Sequence, residues 1–263
     1  SHAVEVPGGA GTAITRARLS GDRLVDLQEI FRMKRGSSRG QHFGSRIVFA
    51  ADGTLLFTIG DRGEGSRAQS LREHAGKTLR INTDGTIPAD NPFARRPGAL
   101  PEIYTYGNRN AQGMAVHPST GAIWQHEHGA RGGDEVNILR PGRNYGWPEI
   151  TWGVDYSGAK IGSGATRDGM EQPVIYWVPS IAPSGMAFYT GSEFPEWRGN
   201  LFVGALVSRH LRRLVVEGER ITAQETLLDG VVGRIRDVRQ GPDGALWLLT
   251  DERQGGLYRL ERA

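Results

Sequence analysis

One pattern recurs along the chain and limits its fold more than any other feature: a short apolar run, a tight turn, then a second apolar run ending in small or charged residues. Copies start at Ile47, Met114, Met186 and Val238. The cleanest reads Val238-Arg239-Gln240-Gly241-Pro242-Asp243-Gly244-Ala245-Leu246-Trp247-Leu248-Leu249-Thr250-Asp251. Alternation inside each run is the period of half-buried strands, and Asp52-Gly53, Thr120-Gly121 and Asp243-Gly244 allow the positive φ that tight turns need. The distance between copies leaves room for four strands and their loops. This is an all-β pattern and the signature of a β-propeller built from four-stranded antiparallel blades.

Two alternating runs, Thr12 to Leu19 and Leu24 to Phe31, precede the first copy across the turn Gly21-Asp22. Only Ala68 to His74 offers one or two helical turns, because 38 glycines and 13 prolines punctuate the rest. Two strands before the first repeat, four in each of the next three units and three in the last make about 17, against about 24 for a closed six-bladed ring. The expectation is one propeller domain over residues 1–263, of about four blades, lacking the N-terminal part of the ring. Open sheet edges on both sides of such a gap predict a dimer or edge-strand association.

Composition excludes several functions. The basic residues number 32 against 29 acidic ones, and all the basic ones but Lys34, Lys77 and Lys160 are arginines scattered singly. A nucleic-acid surface needs them clustered. No apolar run is long enough to span a membrane, and no charged-then-apolar segment opens the chain. The absence of cysteine removes disulfides, thiol catalysis and thiolate metal sites.

Three constellations carry chemistry. His42 lies in Arg39-Gly40-Gln41-His42-Phe43-Gly44-Ser45-Arg46, leading into an inner strand, where an imidazole suits a general base; the ordinary alternative is a solvated loop histidine. Next comes Trp124-Gln125-His126-Glu127-His128-Gly129-Ala130-Arg131-Gly132-Gly133-Asp134-Glu135-Val136-Asn137. His126 and His128 share a strand face, as a transition-metal site requires, yet glycine turns beside two carboxylates form the oxygen-rich setting that calcium prefers. An acidic turn with no ligand is the plain alternative. Third, Arg109 precedes one repeat and Arg234 and Arg236 precede another, the latter two at strand spacing and so on one face. They make a receptor for an anion bearing carboxylates, or else a salt-bridged blade surface.

Together these segments resemble the soluble pyrroloquinoline-quinone-dependent glucose and aldose sugar dehydrogenases, whose fold is a six-bladed β-propeller. The resemblance runs through His42-Phe43-Gly44-Ser45-Arg46, Tyr106-Gly107-Asn108-Arg109-Asn110, Glu127-His128-Gly129, Gly133-Asp134-Glu135, Asn144-Tyr145-Gly146-Trp147-Pro148, Pro179 to Gly185, and Arg234-Ile235-Arg236-Asp237. It implies that His42 removes the proton from an aldose's anomeric hydroxyl while hydride passes to the quinone. It implies that the Gly129 and Ala130 carbonyls bind the calcium that chelates the quinone, and that Glu135 and the Tyr145 carbonyl bind a second, structural calcium. Arg109, Asn110, Tyr156, Trp177, Ser180, Arg234, Arg236 and Asp251 then surround the cofactor. An external electron acceptor and a periplasmic or secreted location come with the same resemblance.

The sequence also departs from the family. Gly204-Ala205-Leu206 is followed by Val207-Ser208-Arg209, where many relatives carry a lysine that contacts the quinone, and Ala130 stands at a proline position. A quinone-contacting glutamine of an early blade has no counterpart. The rival readings are a propeller that binds carbohydrate or protein without catalysis, and a metal-dependent lactonase using His126, Glu127 and His128.

Overall fold

The structure, a computed structural model, describes residues 1–262. Eighteen strands form five antiparallel meanders. The first holds β1 (His2–Val6), β2 (Gly9–Ser20) and β3 (Arg23–Arg32). The second holds β4 (Ile47–Phe49), β5 (Leu55–Ile59), β6 (Lys77–Ile81) and β7 (Ile103–Tyr106). The third holds β8 (Ala111–Val116), β9 (Ile123–Glu127), β10 (Asp134–Ile138) and β11 (Ile175–Trp177). The fourth holds β12 (Pro183–Phe188), β13 (Leu201–Ala205), β14 (Leu211–Glu217) and β15 (Arg220–Leu227), and the last β16 (Ile235–Gln240), β17 (Leu246–Thr250) and β18 (Leu257–Arg259). Each strand pairs with its neighbour in sequence, the order of propeller blades.

The four repeats coincide with the openings of the last four sheets. Gly53, Gly121 and Gly244 sit at φ of 80°, 71° and 81°, so each turns a hairpin through the left-handed region as its dipeptide requires. One strand escapes the pattern. The first sheet has three strands rather than two, because β1 pairs with β2 from His2↔Ala13 to Val6↔Gly9. Only Val6 of that strand is buried, which leaves no alternating apolar face to read.

The expected helical turns at Ala68 to His74 are instead a 3₁₀ helix at Gly65–Gln69. Its end is set by a buried cation: the Lys77 ammonium donates to the carbonyls of Arg67, Ala68 and Ala75 at 3.0, 2.9 and 2.7 Å. Three acceptors around one ammonium remove the need for further intrahelical bonds.

The chain divides into two compact units. One comprises Ser1–Ala111, Arg140–Ile150 and Thr166–Glu171; the other comprises Gln112–Leu139, Thr151–Ala165 and Gln172–Ala263. The core of the first gathers Ile14, Met33, Phe57, Leu79 and Ile103 from its sheets. The second has two cores, one around Trp124, Val136, Met186 and Leu201, the other around Tyr189, Phe202, Val238 and Leu248. Among the described residues no helix is long and apolar enough to cross a membrane.

Candidate active site

In the first unit, the loop before β4 is laid against the end of β5. His42, Gly44 and Ser45 all have positive φ, 52°, 63° and 75°, which bends the loop back on itself. Ser45 N donates to Thr58 O at 2.7 Å. At Gly60 a Cβ would lie 2.2 Å from the His42 carbonyl oxygen, so glycine alone permits this approach. The next residue, Asp61, is buried and meets His42: Nδ1 lies 2.6 Å from Asp61 Oδ1. An acceptor facing Nδ1 favours the tautomer that donates from that nitrogen.

Asp61 is itself held on several sides. Its Oδ1 accepts from Gly63 N at 2.7 Å and its Oδ2 from the indole Nε1 of Trp147 at 2.7 Å. Trp147 is fixed in turn by Gln69, whose Nε2 donates to its carbonyl at 2.7 Å. Sequence reasoning gave Asp61 and Trp147 no role, although Trp147 lies within one of the quoted motifs. Arg109 stacks its guanidinium 5.2 Å from the Trp147 ring centroid, and its carbonyl accepts from Asp61 N at 2.7 Å. Asn110 Oδ1 accepts from Gly44 N at 3.2 Å. Both residues brace the histidine loop. Tyr145 is buried in the same unit, its hydroxyl accepts from Arg140 N at 2.8 Å, and burial raises its phenol above the usual range.

In the second unit the organising group is Asp134, fully buried on β10. Its Oδ1 accepts from Gly129 N at 2.8 Å; its Oδ2 accepts from Ser180 Oγ, Ile181 N and Ala182 N at 2.6, 2.8 and 2.9 Å. Four donors satisfy a carboxylate that would otherwise be costly to bury. They clamp the Gly129-Ala130 turn to the segment before β12. A groove of about 670 Å³ opens there, lined by Gly129, Ala130, Arg131, Tyr156, Ser180 and Val207 among others. Trp177 does not line it. Its indole packs in the core with Trp124 and Val136, and Nε1 donates to Gln224 at 3.1 Å.

Glu135 follows Asp134 and, by strand alternation, faces the other side of the sheet. It pairs with Glu127 across the β9–β10 ladder and accepts from Asn137 Nδ2 at 3.2 Å. Loss of solvation, reinforced by the Glu127 charge, pushes the Glu135 carboxyl up to about 8. Two facing carboxylates beside an amide form a hard oxygen donor set, which a divalent cation such as calcium fits and relieves. Glu127 was not foreseen in that role. The histidines beside it are spent elsewhere: His126 Nε2 and His128 Nε2 lie 2.5 Å from the carbonyls of Ser184 and Pro183. They do share a direction, as their spacing implied, with Nε2 of each turned to a backbone carbonyl of the same neighbouring segment. Among the described residues no group of three or more histidine and acidic side chains could hold a metal ion.

The arginine pair is likewise partly satisfied. Arg236 Nη2 and Arg234 Nη2 reach the same Asp251 Oδ2 at 2.7 and 3.3 Å, and Arg236 Nη1 reaches Gln112 at 3.1 Å. The Arg236 hydrogen bond is the main cause of the lowered Asp251 carboxyl. The Glu252 carboxylate also lies beside Arg234, accepting from its backbone N at 3.0 Å.

Blades of antiparallel strands, with a histidine–aspartate pair at the end of one of them, mark a β-propeller enzyme of the sugar dehydrogenase class. The chain belongs to the glucose/sorbosone dehydrogenase family, whose model matches residues 1–259. It is 47% identical over 257 residues to an aldose sugar dehydrogenase of Escherichia coli, covering 96% of this chain and 69% of that protein. A glucose dehydrogenase crystal structure superposes with a TM-score of 0.97 at 47% identity, covering 99% of this chain and 77% of the other. The pyrroloquinoline-quinone-bound aldose sugar dehydrogenase of Streptomyces coelicolor gives 0.75 at 29% identity, covering 97% of this chain and 72% of the other.

Proposed function

We propose that this protein oxidises the anomeric hydroxyl of an aldose to the lactone, using pyrroloquinoline quinone and calcium and passing electrons to an external acceptor. The observation that carries the reading is the His42–Asp61 pair at 2.6 Å, a pre-set proton acceptor in a family of sugar dehydrogenases. His42 Nε2 takes the hydroxyl proton, and Asp61 stabilises the imidazolium that results. Asp61 needs no proton of its own, because Trp147 and Gly63 hold it as an acceptor. The bound quinone supplies the two-electron sink, and calcium polarises it.

The Gly129 and Ala130 carbonyls would hold that calcium, on a turn that Asp134 keeps rigid. Glu135 would hold the second, and the facing Glu127 supports a cation there. Arg234 and Arg236, both held on Asp251, suit the quinone carboxylates. Tyr156 and Ser180 border the groove beside the turn, Ser180 with its hydroxyl already given to Asp134. A periplasmic or secreted location is part of the proposal and rests on resemblance alone.

Reconstitution tests it. Protein given quinone and calcium should reduce an external dye with glucose or another aldose, form lactone, and lose activity to a calcium chelator. Quinone binding without sugar oxidation would support a non-catalytic propeller instead. Zinc-dependent lactone hydrolysis would point to the lactonase.

A further inference from the structure

The two residues that follow the histidine–aspartate pair make a second contact of their own. The Arg62 guanidinium carbon lies 3.4 Å from the centroid of the Phe43 ring. Arg62 is fully buried. Its Nη2 donates to Ala10 O at 3.0 Å, while Nε and Nη1 have no hydrogen-bond partner. No carboxylate lies within ion-pair distance of it among the described residues. A buried guanidinium with two unbonded nitrogens draws its remaining compensation from the ring face. That arrangement is unusual enough to need a reason.

The backbone supplies one. His42 and Arg62 both sit in the left-handed region, at φ of 52° and 59°, a conformation that residues with a side chain hold only when their surroundings impose it. The backbone of the His42 loop is tied by Ser45 N to Thr58 O and Gly44 N to Asn110 Oδ1, beyond the histidine on the C-terminal side, while on the other side Arg39 Nη1 donates to Gly63 O at 2.6 Å. Phe43 on Arg62 is the contact made by the residues that directly follow the histidine and its aspartate.

We propose that Arg62 and Phe43 form a positioning clasp that holds His42 Nε2 on its target, by locking the His42-Phe43 and Asp61-Arg62 dipeptides together side by side. The inference rests on the reading of His42 as the base. The clasp touches no reacting atom. It fixes the angle at which the imidazole leaves its loop, and a displacement of about 1 Å in a base can cost up to 10²-fold in rate.

The experiment uses quinone- and calcium-loaded protein and four variants: Phe43→Leu, which keeps apolar volume without a π face; Phe43→Tyr, which keeps the face; Arg62→Met; and the Phe43→Leu/Arg62→Met double. The expected result is a kcat about ten-fold lower in Phe43→Leu and Arg62→Met, with KM and quinone affinity within about two-fold. Phe43→Tyr should turn over like the parent, and the double should be no worse than the poorer single. A readout independent of turnover is the Nδ1–H proton resonance of His42 in quinone-free protein, which should broaden in Phe43→Leu and stay sharp in Phe43→Tyr. The clasp is overturned if Phe43→Leu keeps parental kcat and a sharp resonance, if only thermal stability falls, or if the two single losses multiply. Should Arg62→Met fail to fold, the Phe43 pair alone decides. His42→Gln run alongside separates the two ideas: an unimpaired His42→Gln sinks the base assignment, whereas an impaired one with unimpaired Phe43→Leu sinks only the clasp.

Discussion

The indole N–H of Trp147 and the carboxylate of Asp61 meet at 2.7 Å, although 86 residues separate them in the chain. On its other oxygen the same carboxylate meets His42. A tryptophan in a loop far along the chain thereby fixes the partner of the proposed base. Removing the donor with Trp147→Phe leaves a buried carboxylate short of one hydrogen bond. The expected loss is about 1.5–3 kcal/mol of stability, as for a bond to a charged group, read by urea unfolding. A midpoint equal to the parent's would show that the indole bond contributes nothing net.

Asp61→Asn tests the tautomer. An asparagine amide can donate to Nδ1, which moves the imidazole proton to Nε2 and removes the lone pair that the mechanism needs. Turnover should fall by about 10²- to 10⁴-fold with quinone affinity retained. Steady-state kinetics and quinone titration together check this, and a kcat within two-fold of the parent would contradict the role given to Asp61.

Asp134→Ala addresses the calcium turn. It removes the carboxylate shared by Gly129 N, Ser180 Oγ, Ile181 N and Ala182 N, so destabilisation of about 3–5 kcal/mol is expected, together with weaker calcium binding. Denaturation and calorimetric calcium titration measure the two losses. Weakened stability with unchanged calcium affinity would detach the Gly129-Ala130 turn from the metal.

Acid sensitivity has a local reporter in Asp52. The Thr54 hydroxyl and amide, and then Arg80, lower its carboxyl from 3.8 to about 2. A group depressed in the folded state stabilises above its unfolded value and ceases to do so as pH falls through its folded one. The contribution of Asp52 is thus complete above about pH 4 and gone by about pH 2. About half of the side chain is exposed, which limits it to roughly 1 kcal/mol or less. Asp52→Asn should therefore lower stability slightly at pH 7 and not at pH 2; an equal difference at both would show that the turn, not the charge, is responsible.

Much of the fold was legible because the hairpins repeat, three of them with a turn glycine at the same place. β1 was not, since a strand with one buried residue carries no period. The site was legible as motifs rather than as contacts. His42, Gly129 and Glu135 stand out by type and setting, but Asp61 gains its meaning only when Gly60 lets β5 touch the histidine loop. Glu127 gains its own from register alone, directly opposite Glu135. Trp177 shows the limit of reading by type: a large aromatic beside a motif is as suited to a core as to a pocket, and here it packs in the core.

The central claim is that His42 removes the proton as the sugar is oxidised. Single-turnover reduction of bound quinone by glucose, followed spectroscopically in the parent and in His42→Gln, measures that step directly. The account predicts a rate about 10²- to 10⁴-fold lower in His42→Gln with quinone binding intact. An unchanged rate of quinone reduction would contradict it.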